Sequence, residues 1–233
     1  MQDIDAQLDN WFLTHKDRPS FHEILIMDES LMKSWALAAY WHSFQANRVD
    51  GKNYFGHVVR VTEAVYNSFQ NYDSDVTCAA AMHDLIEDHR DKISIEDVYK
   101  ITDRRVVDIV IGLTNDFNSE KELKELGREE RIRVYWKHVL EMIRKNIDVF
   151  HVKLYDFIDN ASGVNKIKTY NAKVTEIRDY LERKYYPLAS KFLAYFIMVR
   201  DEMNINEEEK KRIGDILIEI SGRNESNNYR RMK

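Results

Sequence analysis

Three short segments of this 233-residue chain concentrate side chains able to bind a metal ion. The first is Tyr54-Phe55-Gly56-His57. The second is Ala80-Ala81-Met82-His83-Asp84-Leu85-Ile86-Glu87-Asp88-His89. The third is Lys153-Leu154-Tyr155-Asp156-Phe157-Ile158-Asp159-Asn160. In the second segment a run of small apolar residues leads into His83-Asp84 and then Glu87-Asp88. A histidine and acids at the end of a buried helix are costly unless paired, hydrogen-bonded or metal-bound. His83 and Glu87 are four residues apart, as are Asp84 and Asp88, so each pair is expected on one helical face. Asp156 and Asn160 repeat the spacing later in the chain. A site of His57, His83, Asp84 and Asp156 mixes imidazole and carboxylate. That donor set suits manganese, iron or zinc, and suits calcium poorly because calcium prefers oxygen alone. Four protein ligands on a six-coordinate ion would leave room for a water, acidified into a nucleophile.

The elements that carry these residues read as helices. Only 2 Pro and 7 Gly occur in the chain, too few to punctuate a many-stranded fold. Apolar residues recur at helical spacing over about 30–44, 54–70, 103–113 and 128–145. Asp73 or Ser74 is positioned to cap the helix leading to His83, and Ser94 to cap a short one. Ser119-Glu120-Lys121-Glu122 has capping-box spacing. Val149 to Ala161 reads as a helix, and 171–222 as two or three more. The expected organisation is an N-terminal helical extension over 1–29, with Arg18-Pro19-Ser20 as its internal boundary. A core over 30–165 follows, then C-terminal helices packing on that core over 166–223, and a disordered tail over 224–233.

Composition narrows the classes. The net charge is −5 and the pI about 5.9, unlike a nucleic-acid coat protein. A local basic pocket for a phosphorylated small molecule remains compatible with that balance. The single cysteine, Cys78, rules out an intrachain disulfide and reads as a buried thiol. The start Met1-Gln2-Asp3-Ile4-Asp5 is acidic where a signal peptide is basic, and no apolar stretch approaches a membrane span. A cytoplasmic location is the expectation.

Taken in order, His57, His83-Asp84 and Asp156 resemble the H…HD…D signature of the HD superfamily. They are most similar to the hydrolase domain of RelA/SpoT-type enzymes and their small stand-alone relatives. The H-D-x-x-E-D motif corresponds to His83 to Asp88, K-L-x-D-x-x-x-N to Lys153 to Asn160, and an Arg in the loop before the first His to Arg48. The likeness covers about Ala38 to Asn160. It implies a compact all-α, multi-helix HD-domain fold and manganese-dependent removal of the 3′-pyrophosphate from ppGpp or pppGpp. It implies metal ligands His57, His83, Asp84 and Asp156. Glu87 and Asp88 would handle the water and the leaving-group proton, and Arg48, Lys52, Lys153 and Asn160 would bind substrate. Iron or zinc would be alternative ions. The chain departs from the family at Val58 (usually Pro), at Tyr155 and Phe157 (usually Ala and Arg), and at Gly163 (often Thr). These departures bear on the substrate pocket and leave the metal positions intact.

Two other functions fit the same residues: an HD phosphohydrolase acting on another nucleotide, as nucleotidase or phosphodiesterase, and a non-catalytic nucleotide-binding HD module. The partner expected in each case is a small phosphorylated nucleotide, without membrane or nucleic acid, and a homodimer is left open.

Overall fold

The computed structural model describes residues 20–46, 48, 53–114 and 126–231, with side chains through residue 223. In chain order the helices are α1 (Phe21–Met27), α2 (Glu29–His42), α3 (Phe55–Ser68), α4 (Ser74–Ala81), α5 (Leu85–Asp88), α6 (Ile95–Tyr99), α7 (Arg104–Leu113), α8 (Arg128–Met142), α9 (Ile147–Val164), α10 (Ala172–Val199) and α11 (Glu207–Arg231). The fold is all-α. Its one extended pairing among the described residues is an isolated antiparallel bridge between Phe69 and Ile205. No described helix is long and apolar enough to cross a membrane.

Helix α4 is the hub. Residues Val76 to Ala81 are all buried, and their small side chains let α2, α3, α7 and α9 approach it closely. Asp73 caps α4 through the amide of Val76, as expected. Ser94 caps α6 with Asp97 in a full capping box. Ser20 and Glu23 form a second such box at the start of α1, a pairing the sequence reading passed over. The N-terminal helix read before Pro19 and the capping box at 119–122 lie outside the described residues.

Helix α9 is the second organising element. Every residue from Val149 to Ile158 is buried, including Lys153 and Asp156. Helix α10 packs on α9 and α8, and α11 pairs with α10. Phe192 lies stacked on Phe157 at 4.2 Å between ring centroids. The hairpin of α10 and α11 is stitched to the end of α3: the Asn206 amide donates to the Ser68 carbonyl and the Gln70 amide to the Asn204 carbonyl, both at 3.1 Å. Helix α11 continues to Arg231, past Asn224, where the sequence reading began a disordered tail.

One buried carboxylate ties the amino-terminal helices to the hub. Asp28, 1% exposed, caps α2 by accepting from the Leu31 amide at 3.0 Å. Its other oxygen accepts from the Tyr72 hydroxyl at 2.7 Å and from the Ser74 hydroxyl.

Candidate metal centre

The helix leading to His83 does not run on to Asp88. Helix α4 ends at Ala81, Met82 to Asp84 form a turn, and α5 begins at Leu85. The Met82 amide bonds to the Ala79 carbonyl and the Leu85 amide to the Met82 carbonyl, three-residue spacings that tighten the chain. The expectation of one continuous helical face for His83/Glu87 and Asp84/Asp88 is therefore corrected. The turn re-aims His83 and Asp84 inward, toward α3 and α9.

The structure brings the four candidate ligands together. His57 Nε2 lies 3.2 Å from His83 Nε2, 3.2 Å from Asp156 Oδ1 and 3.6 Å from Asp84 Oδ2. His83 Nε2 lies 3.1 Å from Asp84 Oδ2 and 3.8 Å from Asp156 Oδ1. His57, His83 and Asp156 are buried, and their ligating atoms all fall within 4.8 Å of one another. Asp84 is the most open of the four, its side chain 15% exposed on the cavity side.

The atoms behind these ligands fix their orientation. His57 Nδ1 is 2.7 Å from Asp159 Oδ2, and Asp159 is itself held by Arg60 through Nε at 2.7 Å and Nη2 at 3.0 Å. His83 Nδ1 is 2.8 Å from the Ala80 carbonyl oxygen. A carbonyl only accepts, so Nδ1 of His83 carries its proton, and a neutral ring leaves the Nε2 lone pair facing the cluster. Asp159 does the same for His57. This is the arrangement by which outer partners set the tautomer of a metal-binding histidine. Asp156 Oδ2 pairs with Lys153 Nζ at 2.7 Å, and Asp156 Oδ1 accepts from Asn160 Nδ2 at 2.5 Å. The donor set and its supports fit a divalent metal ion.

Packed this closely against carboxylates, the His83 ring holds a proton when no cation is bound. Burial opposes charge on His83, but the Asp84 carboxylate beside it pushes the ring up to about 9. Asp84 is held well below the usual carboxylate range by His83 and His57, and burial works against that shift. A cation must displace the His83 proton. Below a pKa of about 9, apparent metal affinity is therefore expected to rise by up to about tenfold per pH unit, with about one proton released per ion near neutrality. Calorimetric metal titrations in buffers of different ionisation heat measure both quantities. A pH-independent affinity between about pH 6 and 8 would overturn this expectation.

A cavity of about 460 Å³ opens at the cluster, lined by Asp84, Glu87 and Asp156 together with Arg48, Lys153 and Asn160. Arg48 Nη2 donates to Asn160 Oδ1 at 2.8 Å, so two candidate substrate contacts more than a hundred residues apart are joined. Lys52, the remaining one, lies outside the described residues. The two candidate proton-transfer acids are placed differently. Glu87 lines the cavity. Asp88 accepts from Gln45 Nε2 at 2.8 Å, and the Gln45 amide oxygen is 2.7 Å from His42 Nδ1. Burial and the Asp84 carboxylate push Asp88 up to about 6. The Tyr54 hydroxyl donates to Asp84 Oδ2 at 2.7 Å, and its ring lies stacked on His42.

Gln45, Tyr54, Asp159 and His42 were not singled out as site residues by the sequence. For Asp159 a signal existed: it is three residues after Asp156, one helical turn on, and so points to the same side of α9. Gln45 and His42 pair with each other three residues apart, but what ties them to the site comes from α5 and from the chain before α3, Asp88 and Tyr54.

Comparison with known proteins places the chain in a family. A family model of the HD domain matches residues 34–192, more than half of the chain. A Mycoplasma pneumoniae protein named "probable guanosine-3′,5′-bis(diphosphate) 3′-pyrophosphohydrolase" is 25% identical over 137 residues, covering 58% of this chain and 18% of its own length. The like-named protein of Mycoplasma genitalium is 24% identical over 147 residues, covering 63% of this chain and 20% of its own. The chain thus spans about a fifth of the length of these curated relatives. The fold is shared with the solved structure of a metazoan ortholog of SpoT, described as hydrolysing ppGpp. The TM-score is 0.59 at 22% identity, over 82% of this chain and 96% of that one.

Proposed function

Because the chain belongs to the HD domain family, we propose that it is a manganese-dependent phosphohydrolase that removes the 3′-pyrophosphate of guanosine polyphosphates such as ppGpp and pppGpp. The observation that carries this reading is the meeting of His57 and His83 Nε2 with carboxylate oxygens of Asp84 and Asp156 at the cavity that Arg48, Lys153 and Asn160 also line. The names of the two Mycoplasma relatives support the substrate class.

In this reading His57, His83, Asp84 and Asp156 hold the ion. A bound divalent cation supplies Lewis acidity to a water and to a phosphoryl oxygen. The chain's own residues supply the rest. Lys153 holds Asp156 by one carboxylate oxygen, which leaves the other turned to the two imidazoles. Asp159 and the Ala80 carbonyl keep both rings in the ligating tautomer. Glu87, facing the cavity, takes the proton of the attacking water. As the phosphorus–oxygen bond at the ribose 3′ position breaks, that proton passes to the leaving oxygen. Asp88, fixed by Gln45 and pushed toward neutrality, supports this proton traffic from the side. Arg48 and Asn160, already bonded to each other, present a guanidinium and an amide to the nucleotide.

The test is incubation of the full chain with manganese and a panel of nucleotides, with products separated by chromatography. GDP or GTP plus inorganic pyrophosphate is the expected outcome. The reading fails if ppGpp stays intact while another nucleotide turns over.

A further inference from the structure

The cavity has a wall that the metal cluster does not explain. Helices α8 and α10 contribute Tyr135, Lys184 and Tyr185 to it. Lys184 Nζ sits 4.0 Å from the centroid of the Tyr135 ring and 5.1 Å from that of Tyr185. The two rings meet edge to face at 6.2 Å. The backbone here is anchored, because the Trp136 indole donates to the Lys184 carbonyl at 2.7 Å.

The three cations of the cavity are not equivalent. Lys153 spends its charge on Asp156 at 2.7 Å. Arg48 is bonded to the neutral amide oxygen of Asn160. Lys184 has no carboxylate within ion-pair distance among the described residues, and its ammonium rests only on ring faces. A lysine stem is flexible enough to carry its head into water. A head held over two rings at a cavity wall is a preorganised cation that can still accept an anion. Three carboxylates, Asp84, Glu87 and Asp156, balance the three cations. A divalent ion at the cluster would tip the whole cavity positive, as a polyanion with more than one phosphate group needs.

We propose that Lys184, seated on Tyr135 and Tyr185, binds the phosphate group that is not cleaved, so that the cavity selects nucleotides phosphorylated at two separate positions. The scissile group lies at the metal cluster and the 5′-phosphates lie against the α8–α10 wall. This inference rests on the nucleotide reading above and extends it to a specificity-determining residue outside the three sequence motifs.

Two measurements on the manganese-loaded full chain test it. The first compares KM for guanosine 3′,5′-bis(diphosphate) and for guanosine 3′-diphosphate, which lacks the 5′ group. Lys184→Gln is expected to collapse the preference for the first by roughly 10- to 100-fold, the scale of a lost hydrogen bond to a charged group, and Lys184→Arg to restore most of it. Equal shifts for both nucleotides, or none, overturn the proposal. The second measurement needs no turnover: calorimetric binding of GDP against guanosine. Wild type is expected to bind GDP more tightly, and Lys184→Gln to lose that advantage. Failure of wild type to distinguish the two ligands also overturns the proposal. A Lys184-dependent preference for GDP in a protein that cleaves no nucleotide would uphold this inference while removing the hydrolase reading.

Discussion

Replacing His83 with Ala is expected to abolish both divalent-metal binding and metal-dependent hydrolysis while the helical circular dichroism persists. His83 presents its Nε2 to the cluster within 3.8 Å of all three other candidate ligands. Its loss removes one of the four donors and the imidazole that lies beside both Asp84 and Asp156. Without the ion no group in the cavity can bring a water near the ionisation it needs at neutral pH. Two milder variants grade the claim. Asp159→Asn weakens the hold on His57 and should cost about 10- to 100-fold in metal affinity or activity. Glu87→Gln should keep the ion bound and slow turnover by about 10²–10⁴-fold, the usual scale of general acid–base help. Metal content by mass spectrometry beside steady-state rates separates the three. A His83→Ala protein with full metal content would disprove the ligand set, and a Glu87→Gln protein with wild-type turnover would remove Glu87 from the chemistry.

Asp28→Ala should be among the most damaging changes to stability far from the cavity. Its carboxylate is buried and accepts from the Leu31 amide and from the Tyr72 and Ser74 hydroxyls. The alanine variant strands one buried and two half-buried donors and removes the cap of α2. Hydrogen bonds to charged groups contribute about 1.5–3 kcal/mol each, and the effects of neighbours do not add fully. A loss of about 3–5 kcal/mol follows, a large share of the roughly 5–15 kcal/mol that holds a domain together. The midpoint of urea unfolding measures it. A loss below about 1 kcal/mol would show that water replaces the carboxylate without penalty.

The sequence revealed the ligands more readily than their supports. His57, His83, Asp84 and Asp156 each stand beside an apolar helical run, and an expensive polar group in such a place signals a partner. Helix starts were legible for a similar reason, since Asp73 and Ser94 announce caps by side-chain chemistry within three residues. The break at Met82 to Asp84 was not legible. Nothing in Ala-Met-His-Asp-Leu forbids a continuous helix; the turn is imposed by where α3 and α9 place the other ligands. The network of His42, Gln45 and Asp88 was likewise hidden, because it joins residues 43 positions apart. His151 is held by a distant partner too: its Nε2 is 2.7 Å from the Ser68 hydroxyl in the core. Burial pushes that ring down to about 4, so it stays neutral there. Lys184 was invisible for another reason: the aromatic rings that hold it come from a helix about fifty residues earlier and from its own next neighbour.

The stitching of residues 204–206 to the end of α3 has a bearing on how the molecule is made. Imidazoles and carboxylates that meet across a hundred positions complete their set of four only once α9 has emerged and docked. Such distant pairings are late and slow to form. Tight cation uptake should therefore mark completion of assembly.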